Sequence, residues 1–263
     1  MQDIYVESWI DLQRVLYDIP MNQNSHMRHR SDFAYRGVAD RSWRLETSLY
    51  RLGGDFTKVE GPLLRSFKKY ADAGTIKDDS LWSLLSIAQH HGLPTRVLDW
   101  TVAPKVAVHF ATVEYQHFDK DAAIWRLNIA ESRKVLPDFL RDVLREEHAF
   151  LFSVEMLNKH IATLKEFDTI RPDDPFVLFF EPPSLDARII NQWALLTAMP
   201  NPSLTLSDFL AAHPSLYDRV IIPKELKQEV RDKLDQDNVT ERMLFPGLDG
   251  LSQWLKRYYG PMF

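Results

Sequence analysis

Helices and strands alternate irregularly along this chain, and that order points to an α+β fold in one domain. Strand-like runs at 32–38, 121–129, 175–182 and 217–223 are separated by helical runs without a strict β-α-β succession. No repeat, low-complexity tract or Gly/Ser linker divides the 263 residues. The apolar share is 45% and the charged share 26%, which a packed core requires and a disordered chain lacks. The organisation read from this is an N-terminal helix and loop over 1–30, followed by an α+β domain over 31–263.

The elements follow in order. Trp9, Leu12, Val15, Leu16 and Ile19 recur at helical spacing. The polar stretch 21–31 reads as a loop. "DFAYRGV" (32–38) alternates, carries aromatics and ends near Gly37, as a short strand does. Residues 61–74 form an amphipathic helical run with Pro62 near its start and Gly74 after its end. A second helix covers 78–92, with an acidic start and Gly92 placed as its C-cap. "LPTRVLDWT" (93–101) reads as a connector, with Asp99 or Thr101 as candidate caps of a helix over 103–116. "DAAIWRLNI" (121–129) is the clearest strand. Residues 132–172 are helical and charged, and 175–182 is extended. Residues 184–198 read as a helix, or as a turn leading into a strand. "YDRVIIP" (217–223) is a strand, followed by an exposed helix over 224–238 and a terminal helix over 248–260.

Composition narrows the function. A formal charge of −5 argues against a broad phosphate-binding surface but not against a local basic pocket, and duplex DNA is not expected as a partner. With no cysteine there is no disulfide, thiol nucleophile or thiolate metal site. The N-terminal stretch has no basic leader followed by an apolar block, and no apolar run approaches the ~20 residues that cross a bilayer. A soluble, cytoplasmic chain without membrane contact is expected. The sequence holds no GxxxxGK[ST], no GxGxxG after a strand, no HExxH and no GxSxG. No metal site and no tightly bound cofactor is expected.

The polar residues concentrate in "AQHHGLPTRVLDW" (88–100). Adjacent helical residues point about 100° apart, so His90 and His91 are poorly placed to share a metal. Both also suit a helix C-terminus, where a protonated His complements the dipole. Arg96 and Asp99 can form a salt bridge that fixes a turn. Arg36, beside Gly37, is suited to clamp a phosphate or carboxylate, because its planar fork bonds bidentately and a glycine admits close approach. It can equally pair with an internal carboxylate. Arg188 and Gln192 lie four apart and share a face of a helix.

"FAYRG" (33–37), "W-R-L" (43–45), "AQHHGLPTRVLDWT" (88–101), "VAVHFA" (106–111), "AAIWRL" (122–127), "RIINQWALLT" (188–197), "IIP" before a Lys, and "LFPGLDG" (244–250) occur in that order. Together they resemble the FRG domain, a family named for a Phe-x-Arg-Gly-type start and found widely in microbes and phage-associated loci. The likeness spans about residues 9–259. A second, weaker resemblance is to arginine-class ADP-ribosyltransferases, on Tyr35-Arg36-Gly37, Leu98–Thr101, Val106–Ala111 and Asn191–Leu196. It implies a central, largely antiparallel split sheet flanked by helices. Two departures stand out. Asp99-Trp100-Thr101 replaces that class's serine motif, and Gln192 stands where a catalytic glutamate is expected. An amide cannot supply the negative charge that stabilises an oxocarbenium-like centre. Asp99 or Glu181 is the candidate substitute.

These resemblances imply a nucleotide- or NAD-shaped cleft. In it Arg36, His91, Asp99 and Gln192 are the candidate catalytic residues. Tyr35, Gly37, His90, Arg96, Trp100, Thr101 and Arg188 are the candidate ligand contacts, with Trp100 or Tyr35 stacking on a base. The leading expectation is a nucleotide- or NAD-handling enzyme of transferase or glycohydrolase type, with NAD as substrate, serving as a toxin or anti-phage defence effector on a protein target or beside a nearby-encoded partner. The alternative is a non-catalytic module that binds a nucleotide or a protein. A third reading makes the polar cluster an internal network that satisfies buried groups.

Overall fold

A computed structural model describes residues 3–18, 31–72, 74, 76–184 and 186–260, so the expected loop at 21–31 lies outside the described residues except for Ser31. Among the described residues eight strands form one sheet in the order β1-β8-β4-β2-β3-β7-β6-β5. They are β1 (Asp3–Tyr5), β2 (Phe33–Val38), β3 (Leu98–Thr101), β4 (Ala122–Asn128), β5 (Phe152–Ser153), β6 (Leu178–Glu181), β7 (Ala194–Ala198) and β8 (Tyr217–Ile222). Only the outermost pairs, β1 with β8 and β5 with β6, run parallel; the interior is antiparallel. The mixed α+β class with helices flanking a largely antiparallel sheet is therefore what the chain forms.

The helices are α1 (Trp9–Tyr17), α2 (Phe56–Tyr70), α3 (Leu81–His90), α4 (Pro104–Thr112), α5 (Ile129–Lys134), α6 (Asp138–Glu146), α7 (Val154–His160), α8 (Leu164–Asp168), α9 (Ala187–Asn191), α10 (Leu206–Ala212), α11 (Lys227–Gln236), α12 (Glu241–Leu244) and α13 (Leu248–Tyr259). One face of the sheet buries a continuous core that includes Ala34, Leu98, Trp100, Trp125 and Phe179. The opposite face carries two separate cores. One joins Tyr35, Ile124 and Val220 to α1, α4 and α11. The other centres on Trp82 and joins Phe180 and Leu196 to α2, α3, α6, α7 and α8.

Between those two cores the sheet is split. β2 pairs with β4 over all six of its residues, and β3 pairs with β7 over four. β2 and β3, in contrast, meet at one position, Tyr35 with Thr101, and then diverge. Helix α4 wedges against β2 at Gly37, where an added Cβ would lie 1.9 Å from the carbonyl oxygen of Ala107. The close approach that this glycine permits is made by the helix backbone, not by a ligand.

The structure changes several expectations. The 93–101 stretch is no mere connector: its last four residues are an interior strand, because Leu98 and Trp100 bury one face while Asp99 faces solvent. Neither Asp99 nor Thr101 is the N-cap of α4. That position is Ala103, whose N–H donates to Thr101 Oγ1 at 3.0 Å. Helix α2 begins at Phe56 and holds Pro62 inside it. Residues 184–198 follow the turn-into-strand alternative, as α9 then β7. Helix α11 is exposed on one side only, since Lys227, Val230, Arg231 and Leu234 are buried.

Candidate functional site

The divergence of β2 from β3 opens a cavity of about 290 Å³. Strand residues Arg36, Asp99 and Thr101 line it together with Phe110 and Glu114 at the end of α4, Trp43 from the loop after β2, and Arg188, Gln192 and Ala194 from α9 and β7. Its size sits at the lower end of ligand pockets, and its wall mixes aromatic surface with a few polar groups.

Arg36 is the charge at its centre. Because β2 and β3 no longer pair there, the Asp99 carbonyl lacks a ladder partner, and Arg36 Nη1 donates to it at 2.6 Å. The guanidinium makes no ion pair with a carboxylate among the described residues, and its buried Nε has no hydrogen-bond partner there. Burial lowers its pKa below the ordinary arginine value; the Asp99 charge opposes that shift and the Arg51 charge adds to it. An arginine nonetheless stays protonated at neutral pH. The result is a half-buried cation with unused donors.

Arg188, the other cation lining the cavity, has no carboxylate partner among the described residues. It stacks 4.9 Å over the Phe245 ring and donates to the carbonyl of His90 at 3.3 Å. Phe245 also meets Phe110 edge-on, with centroids 6.1 Å apart. Helix α12 packs against α9 from behind. Its Met243 carbonyl accepts from Asn191 Nδ2 at 2.7 Å, and its Leu244 carbonyl from Gln192 Nε2 at 3.0 Å. Helix α12 is itself anchored by Glu241, which with Asp235 holds the Arg257 guanidinium bidentately.

Two carboxylates line the cavity. Asp99 Oδ2 accepts from Gln89 Nε2 at 2.6 Å, and Gln89 in turn accepts from Thr95. Glu114 is held only by contacts of 3.4 Å to Gln116 and His117. Glu181, at the end of β6, is not among the lining residues.

Of the residues picked from sequence, Arg36, Gly37, Tyr35, Asp99, Trp100, Thr101, Arg188 and Gln192 line the cavity. Several do so in other roles than expected. Tyr35 is fully buried in the core under α4, and its hydroxyl meets Ser31 Oγ at 2.7 Å. Trp100 is 3% exposed, packs edge-on to Phe179 and donates its indole N–H to Thr197 Oγ1. Strand alternation turns both rings inward, so neither can stack on a base. Thr101 donates to the Gln192 carbonyl at 2.6 Å and ties β3 to the start of β7.

His90, His91 and Arg96 are not brought to the cavity. His91 is the exposed C-cap of α3, followed by a Schellman turn in which Gly92, at φ +79°, donates to Gln89 and Leu93 donates to Ala88. His90 pairs with Asp186, the N-cap of α9, at 2.8 Å. Arg96 is 4% exposed and fully partnered. Glu60 takes two of its nitrogens, and Asp168 and the Pro200 carbonyl take the third. Burial opposes its charge, yet the bonds to Glu60 and then Asp168 raise its pKa above the ordinary value. For Arg96, therefore, the internal-network reading holds. Trp43, Phe110 and Glu114 join the site only in the fold: the sequence places Trp43 and Phe110 inside motifs of the family resemblance, and nothing in it marks Glu114.

Residues 31–120 match the family model of the FRG domain, in support of the likeness read from sequence. The matched stretch contains Arg36, Trp43, Asp99, Phe110 and Glu114, whereas Arg188, Gln192 and α12 lie beyond it. No curated protein and no solved structure matches the chain. The likeness to ADP-ribosyltransferases gains no support from these comparisons. Among the described residues no cluster of three or more His, Asp or Glu side chains could hold a metal ion, and no helix is long and apolar enough to cross a membrane.

Proposed function

We propose that the split-sheet cavity is a binding site for a nucleotide-type ligand: an anionic phosphate group joined to a planar, hydrogen-bonding body. The observation that carries this reading is Arg36, a half-buried guanidinium that lines the cavity and has no carboxylate counter-ion among the described residues. A half-buried cation without a counter-ion favours an anion beside it, and a phosphate meets it with charge-assisted bonds. Arg188 adds a second cation, and Trp43, 40% exposed, offers an aromatic face at the cavity.

A second reading extends the first to turnover of NAD, with an effector role in phage defence. What favours it is the pair of carboxylates, Asp99 and Glu114, in the same cavity as Arg36. Glu114 is the less encumbered of the two. Cleavage of a glycosidic bond needs a negative group near the developing cation, and this is the role that Gln192 cannot fill.

The test is a thermal-shift panel with NAD, ADP-ribose, ATP, ADP and inorganic pyrophosphate on wild type and Arg36→Ala. A ligand at 100 times its dissociation constant stabilises by about 2.7 kcal/mol. A shift with a phosphate-bearing ligand that disappears in Arg36→Ala is expected; no shift with any member of the panel sinks the proposal. Nicotinamide release from NAD, abolished by Glu114→Gln or by Asp99→Asn, decides the second reading.

A further inference from the structure

Gln192 stands where a catalytic carboxylate was expected, and its surroundings give it a different task. A backbone carbonyl can only accept a hydrogen bond, so the group facing the Leu244 oxygen at 3.0 Å must be the amide nitrogen. That bond fixes the amide's orientation. Its other end, Oε1, has no partner among the described residues, and Gln192 lines the cavity. The neighbouring Asn191 is anchored in the same way on the Met243 carbonyl. The backbone oxygen of Gln192 is also held, by Thr101. Residue 192 is thus fixed at both main chain and side chain, and its Oε1 is left as an oriented acceptor without a partner among the described residues, beside the second hydrogen of Nε2.

A glutamate at this position would be held differently. Its carboxylate would face the Leu244 carbonyl with two acceptors in opposition, and the anchoring bond would be lost. The site is built around an amide; it is not a carboxylate site that has lost its charge.

We infer that Gln192 is a specificity-determining residue. Its fixed Oε1 accepts a hydrogen bond from an N–H or O–H group on the body of the ligand, while Arg36 holds the phosphate. This rests on the nucleotide-binding reading above. It makes the base or sugar, and not the phosphate alone, part of what the site reads, and it makes anion binding and donor recognition separable.

Calorimetric titration of ADP and of inorganic pyrophosphate separates the two. Pyrophosphate keeps the anion and has neither base nor sugar. Gln192→Met matches the side chain in length but has no amide; Gln192→Glu keeps the shape and an acceptor but replaces the anchoring N–H and adds a negative charge. Gln192→Met is expected to weaken ADP about tenfold, a change of ~1.4 kcal/mol, with pyrophosphate affinity unchanged, whereas Gln192→Glu, which adds an anion to the cavity that holds Arg36, is expected to weaken both ligands. Arg36→Ala is expected to lose both ligands. ADP binding as tight in Gln192→Met as in wild type overturns the inference, as does NAD cleavage that appears only in Gln192→Glu. Should Gln192→Glu not fold, Gln192→Met decides, and equal loss of ADP and pyrophosphate in it counts against the inference. Failure of wild type to bind either ligand would instead overturn the underlying nucleotide reading.

Discussion

Arg36 and Arg96 lie in neighbouring segments and look equally suited to a ligand, yet the fold treats them oppositely. Arg96 sits in a closed knot with Glu60, Asp168 and the Pro200 carbonyl, under the ring of Phe167 at 5.7 Å. Arg36 faces a gap between two strands and has one backbone carbonyl for company. A charged side chain becomes a candidate for function when the fold withholds its partners. Where the partners are supplied, the same side chain is architecture.

The largest expected effect comes from breaking the knot. Arg96→Ala leaves Glu60, which is 1% exposed, as an uncompensated buried charge. Removing one member of a buried pair costs about 3–5 kcal/mol. Urea denaturation should show this loss, and a change below ~1 kcal/mol would mean that the knot adds little. Arg36→Ala should do the reverse: one bond to a solvent-reached carbonyl is lost, for a stability change within about 1 kcal/mol, while ligand binding disappears.

Lys227 gives an intermediate effect at the far edge of the cavity. Its Nζ is buried and donates to the carbonyls of Ala39 and His117, both at 2.7 Å. Ala39 follows β2 at the cavity wall. Burial lowers this lysine to a pKa of about 8 against the opposing charges of Asp40 and Asp121. Lys227→Met should lower stability by roughly 1–3 kcal/mol, since two buried acceptors lose their donor. An unchanged melting temperature would contradict this.

A smaller, pH-dependent effect belongs to His109, which is fully buried on α4 with Nδ1 3.0 Å from Arg231 Nη1. Burial first, and the Arg231 charge second, hold its pKa well below 6.5. Since the folded value is the lower one, the unfolded chain binds the extra proton first. Stability is therefore retained above about pH 6.5 and declines as the pH falls below it. Melting curves from pH 7.5 to 5 should show that decline, and His109→Gln should flatten it. A decline equally steep in the variant would assign the effect to other groups.

Much of this architecture was legible in the sequence. β2, β4 and β8 follow from alternation, and α3 with its Gly92 turn follows from helical spacing and a glycine at the end. Arg36, Arg188 and Gln192, which meet in one cavity, were all picked from residue type and motif. What remained hidden depends on long-range pairing. β3 is only four residues long with Asp99 in it, so its strand character emerges only when Leu98 and Trp100 find the core across β7. Glu60 and Asp168 lie 36 and 72 residues from Arg96, and no local pattern joins them. His91 shows the same limit: a His beside a glycine reads as a site residue or a helix end, and only the exposed Schellman turn decides between them.

The comparison of the two arginines is tested most directly by one paired measurement: ADP titration and urea denaturation of wild type, Arg36→Ala and Arg96→Ala. The account predicts that wild type binds ADP, and that Arg36→Ala keeps its stability within about 1 kcal/mol and loses that binding. Arg96→Ala should lose about 3–5 kcal/mol of stability and bind ADP as wild type does while it remains folded. Undiminished ADP binding by Arg36→Ala, or loss of binding by a folded Arg96→Ala with full stability, would contradict it.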